Sequence, residues 1–234
     1  MKIAAISDLH GHLPIMAAMP EAEVLCICGD LCPTNIDRDY DRSLAWFLRK
    51  FIPWVEQLPY EKVFLTFGNH DFFAEKLFLE QDRITLKRPR KIKEKLYLPE
   101  KLTLLMDTVC DWKGKKFYGT PWCPNLRNWA FYGDSALLRE KFGAIPEHTD
   151  VLMTHCAPRF SDYGTSHFPN GSVQEFGCIE LQDAIEEKKP KLAIFGHIHS
   201  GCHVPHSNND TKYCNVSVLD EEYRPSYYIK SFEI

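Results

Sequence analysis

Short runs of apolar, often β-branched residues recur along this 234-residue chain, and they restrict its possible folds more than any other feature. Runs of this length and composition predict strands that are buried within a sheet. Two segments near the end show some alternation of polar and apolar residues and predict further strands. The predicted strands are Lys2–Ser7, Glu23–Cys28, Lys62–Phe67, Leu102–Met106, Lys116–Gly119, Val151–Thr154, Lys191–Phe195, Tyr213–Val218 and Ser226–Ile234.

Amphipathic segments between some of these strands predict helices at Asp39–Phe51, Ser135–Phe142 and Cys178–Lys188. Strands that alternate with helices favour an α/β layered fold. A turn at Lys113-Gly114 predicts that part of the sheet is antiparallel. The length fits one large domain that spans residues 1–234.

The composition is that of an ordinary globular protein, with 44% hydrophobic and 26% charged residues. A net charge of −4 excludes a global basic field that would recruit nucleic acid. The apolar run Ile3–Ile6 is too short for a signal-peptide core, and no stretch approaches the roughly 20 apolar residues of a membrane span. Nine cysteines without any Cys-x-x-Cys spacing favour free thiols in a reducing compartment. We therefore expect a cytoplasmic protein without a membrane partner.

One segment differs from the rest in its charge. Lys87–Lys95 contains six basic residues and one acidic residue within nine positions. A solvated loop explains such a cluster, and a surface that faces phosphate or nucleic acid is the alternative.

Polar side chains with metal-binding groups follow five of the predicted strands. The carboxyl ends of strands in an open α/β sheet form the edge where ligands bind. Each piece alone has a simpler explanation, because Gly-Asp favours turns and a lone histidine is more often structural. Together they would require five independent turns that all chose ligand residue types, so we interpret them as one site. The residues are Asp8, His10, Asp30, Asn69, His155, His197 and His199.

Imidazole and carboxylate ligands together favour Mn, Fe, Zn, Co or Ni over Ca. Asp8 and Asp30 bring two negative charges, and the histidine and asparagine ligands are neutral. Two divalent cations would leave a net charge of about +2, which suits an anionic phosphate. Because a carboxylate can bridge two cations about 3.5–4 Å apart, Asp30 is our candidate bridge.

Taken in order, Asp-x-His, Gly-Asp, Gly-Asn-His-Asp, a lone histidine and Gly-His-x-His resemble the calcineurin-like metallophosphoesterase superfamily. The match runs from Asp8 to His199. A closer likeness, carried by Tyr118-Gly119-Thr120-Pro121-Trp122 and Phe195-Gly196-His197-Ile198-His199, is to its small metallophosphoesterase-domain proteins and their bacterial and phage relatives. The resemblance implies a four-layered αββα sandwich of two mixed sheets with a dinuclear metal site between the loops.

The resemblance also implies roles for individual residues. It gives one metal to Asp8, His10, Asp30 and His199, and the other to Asp30, Asn69, His155 and His197. It makes His70 the catalytic histidine that binds no metal and donates a proton to the departing oxygen. Asp71 would orient His70, or alternatively cap the helix after it. Many members carry a second Asp where this chain has Cys32. The difference removes no predicted ligand, but the contact that this Asp makes around the site has no assigned residue here.

Three further residues are candidates for substrate binding. His12 could contact a substrate phosphate, although a loop histidine on the surface explains it equally well. Arg159 could clamp a phosphate with two hydrogen bonds, and a surface salt bridge is the alternative. Trp122 could wall the pocket and stack on a leaving group, while core packing is the more frequent fate of such a residue.

The combined prediction is a metal-dependent phosphoester hydrolase that uses a metal-bridging hydroxide on a small phosphoester such as a nucleotide. The resemblance favours phosphodiesters. A serine/threonine protein phosphatase and a nuclease are alternatives within the superfamily, and Lys87–Lys95 offers only a short basic patch for a nuclease. The alternative from another class is a non-catalytic nucleotide-binding module.

Overall fold

The computed structural model describes residues 1–78, 97–168, 170–208 and 210–234. Within these ranges the strands form two large sheets and one small hairpin. The strands are β1 (Lys2–Ile6), β2 (Val24–Cys28), β3 (Lys62–Thr66), β4 (Leu102–Leu104), β5 (Thr108–Trp112), β6 (Lys115–Thr120), β7 (Val151–Thr154), β8 (Thr165–His167), β9 (Val173–Glu175), β10 (Leu192–Phe195), β11 (His206–Asn208), β12 (Thr211–Asn215) and β13 (Lys230–Glu233).

Both large sheets are mixed. The first has the order β13-β1-β2-β3-β4, in which β1 to β4 are parallel and the edge strand β13 is antiparallel. The second has the order β11-β12-β10-β7-β6-β5, with four parallel strands in the centre and an antiparallel strand at each edge. Parallel central strands need cover on both faces, which explains why their sequences are continuously apolar.

The two sheets pack face to face through alternate residues of their central strands. In the first sheet Ala5 and Cys26 point into this interface, and in the second Met153 and Ile194 do. The rings of Phe64 and Phe117 stack across it with centroids 4.3 Å apart. Residues at the intervening positions point outward into a second apolar cluster that includes the helices.

Helices cover the outer faces, so the predicted four-layered αββα sandwich is confirmed. On one side lie α1 (Tyr40–Trp46), a π-helical turn (Phe47–Phe51), α2 (Ile52–Gln57) and α3 (Phe72–Phe78). On the other lie α4 (Ser135–Gly143) and α5 (Ile179–Lys188), which contact each other. None of the helices in the described part of the chain is long and apolar enough to cross a membrane.

The middle of the chain holds one more strand than the sequence predicts. The predicted strand Leu102–Met106 corresponds to β4, which joins the first sheet beside β3. The hairpin partner of β6 is β5, whose sequence Thr-Val-Cys-Asp-Trp is partly exposed and lacks an apolar run. The turn at Lys113-Gly114 is where predicted. The basic segment Lys87–Lys95 lies outside the described residues.

The carboxyl ends of the parallel strands in both sheets meet at one place. An isolated bridge between Ser7 and Ser217 links the two sheets there, and Ser7 donates its N–H to Val216 O at 2.8 Å. The loops that follow β1 and β2 are joined by the hydrogen bond from His10 N to Asp30 O at 2.9 Å. Backbone hydrogen bonds therefore hold the loops after the strands together.

Candidate metal centre

The predicted ligands lie together, although the first and the last are far apart in the sequence. Six of the seven, together with His70 and Cys123, form four overlapping groups, and within each group the ligand atoms lie within 4.8 Å of one another. The groups are Asp8, His10 and His199; Asp8, Asp30 and His155; His10, Asp30 and His70; and Cys123, His155 and His197.

Asp30 occupies the middle of the cluster. Its Oδ2 lies 3.6 Å from His10 Nε2 and 3.3 Å from His155 Nε2. Asn69 Oδ1 lies 2.9 Å from His155 Nε2, and His199 Nε2 lies 3.3 Å from Asp8 Oδ1. Asp30 Oδ2 thus lies close to two imidazoles, and Asp8–His199 and Asn69–His155 form two further close pairs.

Four of the clustered residues adopt left-handed backbone conformations that side chains rarely accept. The φ angles are 58° at Asp8, 40° at His10, 54° at Asp30 and 74° at His197. Such conformations cost about 1–3 kcal/mol each and persist only where the surrounding structure imposes them. Because each lies just after a strand, the strained turns direct these side chains back over the sheet edge.

Two histidines are oriented by backbone carbonyls. His155 donates from Nδ1 to Cys28 O at 2.8 Å, and His199 donates from Nδ1 to Asp220 O at 2.9 Å. A neutral ring that carries its proton on Nδ1 has the lone pair of Nε2 facing the cluster. Metal-binding histidines are commonly oriented by such a bond from the other ring nitrogen.

His10 provides the most direct test of whether a cation fits. Both of its ring nitrogens are buried, and neither has a hydrogen-bond partner among the described residues. A buried polar atom without a partner costs about 1–3 kcal/mol, so native structures seldom retain one without a reason. The oxygen and nitrogen donors around it fit a divalent transition metal.

The charges of the cluster are arranged around its two carboxylates. Burial opposes their ionisation, yet the neighbouring histidines hold the pKa of Asp8 and of Asp30 well below the usual range. Burial likewise opposes protonation of His155 and His199, but Asp30 and Asp8 raise the pKa of these rings to about 9. In the absence of metal, protons on these two rings supply the positive charge that the carboxylates require.

The other two candidate histidine ligands have lowered pKa values. Burial lowers the pKa of His10 to about 4 and that of His197 to about 3. Both rings are therefore neutral at physiological pH, which is the form that binds a metal.

His70 is held by an aspartate that the sequence analysis missed. His70 Nδ1 lies 2.7 Å from Asp37 Oδ2, and both side chains are buried. Asp37 follows no strand and stands in a loop of turn-forming residues, so nothing in its context suggested a site. The backbone N–H of His70 donates to Asp30 Oδ1 at 2.8 Å, which ties this pair to the centre of the cluster.

An aromatic and cationic wall, which the sequence analysis also missed, stands beside His70. The ring of Trp129 lies 4.4 Å from that of His70 between centroids. The guanidinium of Arg38 lies 4.6 Å from the Trp129 ring and 4.5 Å from the Phe72 ring. Arg38 follows Asp37 directly in the sequence, so one loop supplies both the partner of His70 and this cation.

Asp71 contacts backbone rather than the ring of His70. Its carboxylate accepts hydrogen bonds from Leu31 N at 3.0 Å, Cys32 N at 3.2 Å and Gly68 N at 2.9 Å. Burial, followed by the charge of Asp30, raises the pKa of Asp71 to about 7. Asp71 therefore joins the loop after β2 to the loop after β3. The residue at the departure from the family pattern, Cys32, is buried in the apolar core.

The three candidate substrate residues lie outside the groups that form the cluster. His12 is exposed and lines a groove of about 510 Å³ with the segment Pro225 to Ile229. Arg159 lines a separate cavity of about 340 Å³ beside Glu175 and Glu180. Trp122 is buried and donates from Nε1 to Asp107 Oδ2 at 2.9 Å, so its contacts match the core-packing alternative.

The cysteines are all free in the structure, as the sequence predicts. One of them, Cys123, places its thiol in the same group as His155 and His197. It follows Trp122 in the sequence, where no strand end drew attention to it.

The two-sheet sandwich and its clustered donors define a class, the metallophosphoesterases, which are metal-dependent hydrolases of phosphoric esters. A family model described as calcineurin-like phosphoesterase matches residues 1–201. The chain belongs to this family, which confirms the resemblance found in its sequence.

Individual relatives agree with this assignment. Human metallophosphoesterase domain-containing protein 1 is 30% identical over 236 residues, which cover 96% of this chain and 68% of the human protein. A UPF0046 protein of Caenorhabditis elegans is 28% identical, and the match covers 100% of this chain and 81% of that protein.

Solved structures share the fold at low sequence identity. TT1561 of Thermus thermophilus is 15% identical with a TM-score of 0.56, over 99% of this chain and 97% of that one. Phosphopantetheinyl hydrolase of Mycobacterium tuberculosis is also 15% identical, with a TM-score of 0.57 over 99% of this chain and 95% of its own. At this identity the likeness bears on the fold alone.

Proposed function

We propose that the chain is a phosphodiesterase with two divalent cations that share Asp30. The observation that carries the proposal is the position of Asp30. Its carboxylate lies within 3.6 Å of Nε2 of His10 and of His155, which belong to different proposed ligand sets. One cation would be held by Asp8, His10, Asp30 and His199. The other would be held by Asp30, Asn69, His155 and His197.

Bound there, the cations would supply Lewis acidity, which lowers the pKa of water from 15.7 to about 7 and offsets charge on phosphoryl oxygens. The mixture of imidazole, carboxylate and amide donors suits Mn, Fe, Zn, Co or Ni, and Mn²⁺ is our choice for assays.

His70 has the position of a proton donor in this proposal. Asp37 accepts a hydrogen bond from Nδ1 at 2.7 Å, which keeps the ring oriented. Nε2 is then the nitrogen that donates to the departing oxygen. Proton donation of this kind typically contributes about 10²–10⁴-fold to a rate.

The substrate we propose is a small phosphodiester such as a cyclic nucleotide. The wall of Trp129 and Arg38 beside His70 supports this choice, because the planar base or aryl group of a substrate can stack there while the departing oxygen faces His70. We further propose that residues 1–234 form one domain, and that the protein is cytoplasmic, since all nine cysteines are free.

A substrate panel on the Mn²⁺-loaded protein tests the proposal. We expect faster hydrolysis of a bis-aryl phosphate than of a mono-aryl phosphate, and little cleavage of single-stranded DNA. Preference for the monoester would favour the phosphatase alternative, and preference for DNA would favour a nuclease. Fewer than one transition metal per chain after loading would exclude the pair of cations.

The non-catalytic alternative is tested with His70→Asn. We expect kcat to fall about 10²–10⁴-fold while the metal content is unchanged. His206→Asn, which alters an exposed histidine outside the cluster, is the matched control. If the metal-loaded wild-type protein binds phosphate but turns over no phosphoester, the binding module is favoured.

A further inference from the structure

The turn after β12 places one strained aromatic residue against the candidate metal centre. Tyr223 has a φ angle of 59°, in the left-handed region that a bulky side chain seldom adopts. Its ring meets that of His10 edge to face with centroids 4.7 Å apart, and that of His199 with centroids 5.6 Å apart. Strain of this kind persists where the surrounding structure imposes it, and it concentrates at functional sites.

The turn is held rigidly by Asp220. Its Oδ1 accepts hydrogen bonds from Glu222 N at 3.0 Å and Arg224 N at 2.9 Å, and its Oδ2 accepts one from Ser226 Oγ at 2.9 Å. The carbonyl of the same residue orients His199. A hydrogen bond from His199 therefore attaches the turn that carries Tyr223 to the cluster.

The neighbouring Glu221 secures the turn from a second side. Its Oε1 accepts hydrogen bonds from Ser200 N at 3.0 Å and Ser200 Oγ at 2.7 Å. Ser200 directly follows His199, so the turn and the last candidate ligand are held as one unit.

Tyr223 combines exposure with a hydroxyl that has no partner in the described part of the chain. The residue as a whole is 39% exposed, and its hydroxyl makes no hydrogen bond with another residue in the described ranges. A phenol is protonated at neutral pH and can donate a hydrogen bond to an anion.

Tyr223 and His70 approach the same histidine. The His10 ring has the Tyr223 ring and the His70 ring each with its centroid 4.7 Å away, both edge to face. His70 and Tyr223 therefore both border His10, and a phosphoryl group bound at this histidine would lie near both of them.

We propose that Tyr223 is a substrate-binding residue whose hydroxyl donates a hydrogen bond to a non-bridging phosphoryl oxygen of the bound ester. The inference rests on the proposed phosphoesterase function and adds to it a named contact with the phosphoryl group. The alternative is that the ring serves only as packing over His10 and His199.

Tyr223→Phe separates these two roles because it removes the hydroxyl and retains the ring. With the Mn²⁺-loaded protein, we expect the dissociation constant for inorganic phosphate, measured by calorimetry, to rise about 10- to 100-fold, as is typical of a lost hydrogen bond to a charged group. We expect kcat/KM for the bis-aryl phosphate to fall by a similar factor. Metal content and melting temperature should not change.

Tyr228→Phe is the matched control, since Tyr228 is 91% exposed and belongs to no part of the cluster. It should leave phosphate binding and turnover at their wild-type values. If Tyr223→Phe also matches the wild-type protein in both measurements, the ring is packing only and the inference is overturned.

Phosphate binding separates this inference from the proposed function. A wild-type protein that binds phosphate without turnover would refute the phosphodiesterase, while weaker binding by Tyr223→Phe would still support the contact. A metal-loaded wild-type protein that binds no phosphate would overturn the contact as well.

Discussion

At the scale of single residues, the centre combines features that oppose folding. His10 is buried with both ring nitrogens unpartnered among the described residues, and it also has a left-handed backbone with a φ angle of 40°. Asp8 and Asp30 are buried carboxylates with similarly strained backbones. Each feature raises the free energy of the folded state, and each is explained if a cation occupies the space between the donors.

Replacing His10 with leucine tests this explanation. We expect His10→Leu to raise the free energy of unfolding of the metal-free protein by about 1 kcal/mol, because it removes a buried polar group that has no partner in the described part of the chain. The same change should abolish binding at one of the two cation sites. Urea unfolding in the presence of a chelator, with metal analysis of a parallel sample, measures both. A destabilised variant with full metal content would contradict the interpretation.

Asp37 is a positioning residue in our interpretation, since its carboxylate contacts Nδ1 of His70 and would act on the substrate only through that ring. We expect Asp37→Asn to lower kcat about 10- to 100-fold, the usual effect of losing a residue that orients an active group. Its effect should be small when His70 is already asparagine, because the two residues act as a unit. Full additivity in this double-mutant cycle would show that Asp37 acts independently of His70.

At the scale of elements, the site depends on how the loops after the strands are joined. The carboxylate of Asp71 accepts N–H groups from the loop after β2 and from the loop after β3. Glycine is required where these loops meet, since a Cβ on Gly68 would clash with Asp30 Oδ1. A Cβ on Gly196 would likewise clash with Asp8 Oδ2. The glycines before the ligands therefore allow the loops to approach closely.

Removal of the Asp71 carboxylate should destabilise the whole fold. Asp71→Ala leaves three buried N–H groups without an acceptor, so we expect the free energy of unfolding to fall by about 3 kcal/mol or more. Asp39→Ala is the matched comparison, because Asp39 caps only the exposed start of α1, and we expect it to cost about 1 kcal/mol. Equal losses in denaturant titrations of the two variants would refute the role of Asp71 as a link between loops.

At the scale of the whole molecule, protons on two histidines offset the buried carboxylates, and a bound metal would compete with those protons. His155 and His199 have pKa values near 9 in the folded protein, against about 6.5 when unfolded. The stabilisation that this provides is fully present below pH 6.5 and is lost as the pH rises through 9. Since metal binds the deprotonated rings, a bound cation replaces these protons and removes this source of pH dependence.

Chemical denaturation at several pH values measures this linkage. For the protein in chelator, we expect the free energy of unfolding to fall by about 2 kcal/mol for each of the two rings between pH 7 and 9.5. With Mn²⁺ bound, the decrease over the same interval should be smaller. A His199→Gln variant in chelator should lose part of the dependence. A metal-free wild-type protein that is more stable at pH 9.5 than at pH 7 would show that the sign is wrong.

The sequence by itself determined the layered fold and was enough to predict the candidate ligands. Both depend on local patterns, because a buried strand must be apolar and its end must supply the polar groups. The apolar runs therefore predicted the central strands, and residues such as Asp30 and His155 were found because they follow those runs directly.

Only the tertiary structure decided which residues surround these ligands. Asp37, Trp129 and Tyr223 lie in loops whose local sequence resembles any other turn, and they reach the centre through contacts between distant segments. The same reason explains the strand β5, whose half-exposed sequence carries no apolar run but pairs with β6. A pattern along the chain records the neighbours of a residue in sequence, whereas the chemistry of this site depends on its neighbours in space.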